Sequence, residues 1–146
     1  MDVDTYEVRL LQLGKADLYG QVYADTPQTR KAIETFAARG EVYCELGNPN
    51  RPPLSTVNDW VHRFASVDER RVCAKLKDLR LEGNLLLGNL TGAGPLNILK
   101  FLDGPDDLKV GIRCFSKRIE FGRREIDTIV TYDVVGLNER GVSMST

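Results

Sequence analysis

Residues 72–90 constrain the fold of this chain more than any other stretch. Val72, Ala74 and Leu76, then Leu79 and Leu81, alternate with charged side chains, Glu82-Gly83-Asn84 makes a turn, and Leu85-Leu86-Leu87-Gly88-Asn89-Leu90 runs back. Period-two alternation on both sides of a glycine turn is the pattern of an antiparallel hairpin with one face in a core. The slip of phase between Leu76 and Leu79 predicts a bulge in the first arm.

The other elements are read around that hairpin. Residues 6–13 predict a first strand, and Leu18 to Tyr23 a short second strand or hairpin arm. Thr26-Pro27 has the form of an N-cap followed by proline in the first helical position. Ala32, Ile33, Phe36 and Ala37 then recur at helical spacing and Gly40 supplies the stop, so a helix is expected over 27–39. Val42, Tyr43 and Leu46 form a half-apolar run that stops at Gly47 and enters a stiff loop, Asn48-Pro49-Asn50-Arg51-Pro52-Pro53, which presents Asn48. Residues 56–65 fit two patterns: Val57, Trp60, Val61 and Phe64 a helical face, Trp60, His62 and Phe64 one face of a strand. The alternation that follows favours a strand. Beyond the hairpin come a glycine-rich loop, Thr91-Gly92-Ala93-Gly94-Pro95, and a short helix over 96–102 closed by Asp103-Gly104. Strands over 109–117 and 126–135 follow, then a polar, frayed tail from Asn138 to Thr146. The expected class is α+β, a mainly antiparallel β-barrel-like core with two short helices, forming one domain over 1–138 with a tail at 139–146.

Composition narrows the function classes. A chain of 146 residues with 42% hydrophobic and 28% charged residues suits one soluble domain with a single core. Twenty Lys and Arg against 21 Asp and Glu leave a net charge of −1, with no basic excess for a nucleic-acid partner. No apolar run is long enough to cross a membrane, and Met1-Asp2-Val3-Asp4 has the wrong chemistry for a signal peptide. The three cysteines, Cys44, Cys73 and Cys114, are widely spaced and read as reduced residues of a cytosolic protein. With His62 as the single histidine, little room remains for a metal site, and neither metal nor cofactor is expected.

Several residues carry candidate chemistry. His62 is the only ready general base near neutral pH, although a lone histidine among Trp60, Val61 and Phe64 is more often a packed or edge residue. Cys114 and Ser116 share a face of the strand around 109–117. A thiol close to Arg113, Lys117 and Arg118 would be activated, whereas a small apolar residue in a core strand would not. Asn48 can donate and accept hydrogen bonds but cannot transfer a proton in catalysis. Gly92 and Gly94 could cradle a phosphate, but the loop lacks the lysine of a phosphate-binding loop and reads as a flexible turn. Trp60, Tyr19 and Tyr43 are aromatic candidates for partner contact or for the core.

The order of these pieces resembles the prohead core proteases of tailed bacteriophages, which share the fold of the herpesvirus assembly protease. The resemblance runs through Gly20-Gln21-Val22-Tyr23, the helix from Pro27, and Cys44-Glu45-Leu46-Gly47-Asn48-Pro49. It continues through Glu82-Gly83-Asn84 to Gly88, Gly94-Pro95-Leu96-Asn97-Ile98-Leu99, Gly111-Ile112-Arg113-Cys114 and Tyr132-Asp133-Val134-Val135, covering about residues 6–138. It departs from the family at the chemistry. Asn48 stands where the resemblance places a catalytic histidine, and Arg113 where it places the nucleophilic serine; His62 is a candidate for a second family histidine.

The resemblance therefore implies a catalytically inactive relative that binds protein, with Asn48, Arg113 and Trp60 as binding residues and Arg113 as a cation for an acidic partner. The partner would be a phage capsid, scaffold or protease protein, or a host protein bound and inhibited, with self-association a further option. No nucleic acid or membrane is expected, and the location would be the host cytoplasm, with the virion as a further option. The alternative is an active maturation endopeptidase with a rearranged site built from His62 with Cys114 or Ser116.

Overall fold

The computed structural model describes residues 5–102 and 108–144. Its core hairpin is formed by strands β3 (Val72–Glu82) and β4 (Leu85–Gly92), turning at Gly83 with φ 63°. The register slips between Lys77 and Arg80, where the phase of the leucines demanded it. Asp78 absorbs the extra residue at φ 53° and accepts a hydrogen bond from Asn89 Nδ2 at 3.0 Å. Aspartate tolerates the left-handed region better than most side chains, so the bulge carries little strain. Strand β1 (Thr5–Gln12) adds to β4 and strand β2 (Val42–Glu45) to β3, giving an antiparallel four-stranded sheet in the order β1-β4-β3-β2.

Helix α1 (Pro27–Ala37) begins as its sequence predicts. Thr26 Oγ1 accepts from Thr29 N at 3.1 Å, and Pro27 occupies the first turn. Ala32, Ile33 and Phe36 are buried, and Phe36 lies 5.8 Å from the ring of Tyr132. That contact seats α1 on the second sheet, the hairpin of β5 (Lys109–Arg118) and β6 (Arg124–Val135).

The barrel expectation needs correction: among the described residues the strands form two sheets, not one closed cylinder. The sheets meet along one side only. There Gly47 N donates to Val134 O at 2.7 Å, Thr131 Oγ1 donates to Tyr43 O at 2.6 Å, and Arg124 N donates to Val22 O at 2.8 Å. On the other side, between β1 and β5, runs a groove lined in part by Val8, Leu18, Leu108 and Val110, and among the described residues no ladder crosses it.

Other departures are local. Residues 57–64, expected as a strand, form helix α2 (Val57–Phe64). Thr56 Oγ1 accepts from Asp59 N at 3.0 Å and Asp59 Oδ2 accepts from Thr56 N at 3.3 Å, a capping box that outweighs the alternating pattern. The helix expected over 96–102 is a single 3₁₀ turn, Leu99–Phe101, without a side-chain cap; its proposed stop at Asp103-Gly104 lies outside the described residues. Residues 16–23 form two isolated bridges, Ala16 with Val22 and Tyr23 with Arg124, instead of a strand or hairpin arm. The tail is not frayed as far as Met144. Asn138 N donates to Val142 O at 3.0 Å and Met144 N to Gly136 O at 2.8 Å.

Candidate functional site

Arg113 and Asp133 come from adjacent strands, and each looks misplaced in its own. Arg113 stands in the run Gly111-Ile112-Arg113-Cys114, and Asp133 lies between the fully buried Tyr132 and Val134. The hairpin explains both. Gly111 pairs with Asp133 and Arg113 with Thr131, so the guanidinium and the carboxylate meet two residues off register. Arg113 Nε donates to Asp133 Oδ2 at 3.1 Å and Nη2 to Oδ1 at 2.6 Å, the bidentate geometry that suits this pair.

Two further charges complete the cluster. Arg113 Nη2 also donates to Glu45 Oε2 at 2.9 Å, and Arg63 of α2 reaches the same carboxylate with Nη1 at 2.9 Å. Asp68 N donates to Glu45 Oε2 at 3.1 Å. Arg113 Nη1 donates to Ser66 O at 2.7 Å and to Phe64 O at 3.2 Å, at the C-terminal end of α2. A guanidinium has five N–H donors, and those of Arg113 are spent inside the protein. The side chain is 2% exposed.

The electrostatics follow from this geometry. Burial pushes the Glu45 carboxyl up, but hydrogen bonds from Arg63, Arg113 and the Asp68 amide outweigh it and hold the group below the usual glutamate range. For Asp133 burial wins: its carboxyl lies above the ordinary value although Arg113 pulls it down. Two cations and two carboxylates leave the cluster neutral.

Position 113 was expected to offer a cation to an acidic partner. The structure corrects this, because both carboxylates that satisfy Arg113 belong to its own chain. Asn48 is exposed, and its Oδ1 accepts from Tyr19 Oη at 3.2 Å. The Tyr19 phenol lies against Gly111: a Cβ there would stand 2.1 Å from the Tyr19 oxygen. Tyr19 thus bridges the Asn48 loop to β5, which brings Asn48 to the strand that carries Arg113. Beside them is a polar cleft of about 440 Å³ lined by Asn48, Asn50, Arg63, Asp68 and Arg71, among others.

The remaining candidates are not assembled into one site. His62 lies on the exposed side of α2, and among the described residues its imidazole makes no hydrogen bond. For Cys114 the core-strand reading fits better than the activated thiol: burial pushes its thiol up, and it contacts Tyr23 Oη at 3.8 Å. Ser116 Oγ accepts from Arg124 Nε at 2.7 Å, so its lone pair is held by a cation rather than its proton by a base. Trp60 is half-buried with its ring 5.8 Å from Phe64, which packs edge-on against Phe115 at 5.2 Å. Residues 94–96 of the glycine-rich loop form a bend and turn, in keeping with its reading as a turn, and its backbone is tied down locally. Gly92 lies in β4 with no room for a Cβ beside Asn97, a Cβ on Gly94 would meet Val72 O at 2.5 Å, and Ala93 N and Leu96 N already donate to Cys73 O and Val72 O. Among the described residues no group of His, Cys, Asp and Glu could hold a metal ion.

Sequence reasoning missed Glu45, Asp133 and Arg63. For Glu45 and Asp133 the available signal was a charged residue inside an apolar strand segment, because a buried charge requires a partner on a neighbouring element; Arg63, on α2, carried no such signal.

The architecture is that of an α+β domain of the phage-protease type, with an ion-pair cluster at the joint between its two sheets and α2. The Peptidase S80 family matches residues 19–146, and the chain belongs to that family, the phage prohead proteases. In fold it is similar to the bacteriophage T4 capsid assembly protease gp21, with a TM-score of 0.60 and 17% identity over 89% of this chain and 79% of that one. Comparison with curated proteins returned no match.

Proposed function

We propose that this chain is a prohead-protease relative that acts in capsid assembly by binding protein instead of cutting it. The observation that carries the reading is the saturated Arg113 cluster. The resemblance places the nucleophile at position 113, and a guanidinium that is always charged and fully hydrogen-bonded cannot attack a carbonyl. Asn48, at the position matched to the family's histidine, offers an amide that accepts from Tyr19 and cannot take a proton. Family membership and the likeness to a capsid assembly protease favour phage capsid or scaffold protein as the partner. Binding and inhibiting a host protein is the other form of the same reading, and the site of action is the host cytoplasm or the virion.

The competing reading is an endopeptidase that uses His62 with Cys114 or Ser116. Incubating the purified chain with the capsid and scaffold proteins of the same phage separates the two. The expected result is no new fragment and no adduct with a fluorophosphonate or iodoacetamide probe in the native state. Fragments that disappear in His62→Ala together with Cys114→Ala or Ser116→Ala would overturn the binding reading.

A further inference from the structure

Three non-glycine residues have positive φ among those described: Leu54 at 63°, Asp78 at 53° and Phe121 at 61°. Asp78 is the bulge residue and suits that conformation. The other two are bulky and apolar, and they are also the two most exposed large apolar side chains, Leu54 at 105% and Phe121 at 91%. Strain and exposure therefore coincide at both, and of the two Phe121 is the aromatic.

Phe121 sits in the turn Glu120-Phe121-Gly122-Arg123 that joins β5 to β6. Arg123 N donates to Glu120 O at 3.2 Å, and Ile119 N to Arg123 O at 2.8 Å. Phe121 at φ 61°, ψ 31° and Gly122 at φ 71° give positive φ at both central positions, the type I′ geometry that favours Asn, Asp or Gly. An aromatic at the first of these strains the backbone and leaves its ring in water. Folding alone does not call for it, since asparagine would make the same turn. The flanks carry Lys117, Arg118, Arg123 and Arg124 against Glu120 and Glu125. Lys117 faces Glu125 at 3.4 Å and Arg124 turns inward to Ser116, while Arg118 is exposed beside the turn.

We propose that this turn is the docking element of the chain: Phe121 inserts into an apolar pocket on an acidic protein surface, and Arg118 and Arg123 meet carboxylates at its rim. The proposal rests on the binding reading above and names the kind of surface that is bound. A single aromatic beside arginines is a common centre of a protein interface. A lipid surface fits less well, because one ring with a small cationic excess falls short of the paired signals that stable membrane attachment takes.

The test uses proheads assembled from the same phage's capsid and scaffold proteins, sedimented with wild type, with Phe121→Asn, and with the double variant Arg118→Glu, Arg123→Glu. Wild type is expected in the pellet. Phe121→Asn is expected to weaken binding by about tenfold or more while its melting temperature stays the same or rises. The charge reversal is expected to weaken binding most at low salt. The proposal is overturned if Phe121→Asn pellets like wild type or melts at a markedly lower temperature. It is equally overturned if wild type stays in the supernatant, or binds phosphatidylglycerol vesicles and not proheads. Scaffold cleavage in the same tubes would sink the non-cleaving reading alone, leaving a Phe121-dependent pellet intact. A pellet without cleavage and without dependence on Phe121 would sink only the docking element.

Discussion

Arg113 is the residue on which the others depend. Its guanidinium links Asp133 of β6, Glu45 of β2 and two carbonyls at the C-terminal end of α2, so one side chain ties three elements together. A buried ion pair adds little net stability compared with an apolar replacement of the whole cluster, but removing one partner strands the rest. Arg113→Ser, which puts a hydroxyl where the resemblance places the family's nucleophile, leaves two buried carboxylates with only Arg63 between them. We expect it to lose about 3–5 kcal/mol in urea denaturation and to gain no protease activity. A stable Arg113→Ser protein, or one that cleaves scaffold, would contradict this account of the cluster.

At the scale of elements, α2 is the weakly held piece. It buries no residue of its own and is fixed by Arg63 to Glu45, by Arg113 to the carbonyls of Phe64 and Ser66, and by the packing of Phe64 on Phe115. Its start depends on the Thr56–Asp59 capping box. Thr56→Ala is expected to destabilise the helix by about 1 kcal/mol. Trp60 is the only tryptophan and lies on this helix, so its fluorescence reports α2 directly. In the variant the fluorescence transition should precede the far-ultraviolet circular dichroism transition; coincident transitions would mean that α2 unfolds with the body. The same helix shows where sequence reading failed. Trp60, His62 and Phe64 alternate, but Thr56 and Asp59 already carried the helix-start signal, and local capping outweighed the pattern of so short a segment. The β3–β4 hairpin, its bulge and α1 were legible because each combined a long periodic run with its own stop or turn residue.

At the scale of the whole molecule, the cluster makes stability depend on pH in two opposing ways. Glu45 titrates lower in the folded chain than in the unfolded one, so it stabilises the fold above the unfolded value of about 4.3, and that contribution is lost as pH falls through its folded value. Asp133 titrates higher when folded, so its contribution is present below the unfolded value of about 3.9 and is lost as pH rises through its folded value. Urea midpoints measured between about pH 5 and pH 3 should therefore fall less steeply in Glu45→Gln than in wild type, and more steeply in Asp133→Asn. Equal slopes in all three proteins would place the acid sensitivity elsewhere. The sequence disclosed most strands and the family framework, but not this cluster. Its members lie far apart in the chain, at positions 45, 63, 113 and 133, and only the packing of β2, α2 and the β5–β6 hairpin reveals that they share one place.

The saturation of Arg113 also binds the histories of distant positions to one another. A mutational path that puts a hydroxyl at 113 while Glu45 and Asp133 stay acidic crosses a valley of poorly folded intermediates, so these sites are expected to change together or not at all.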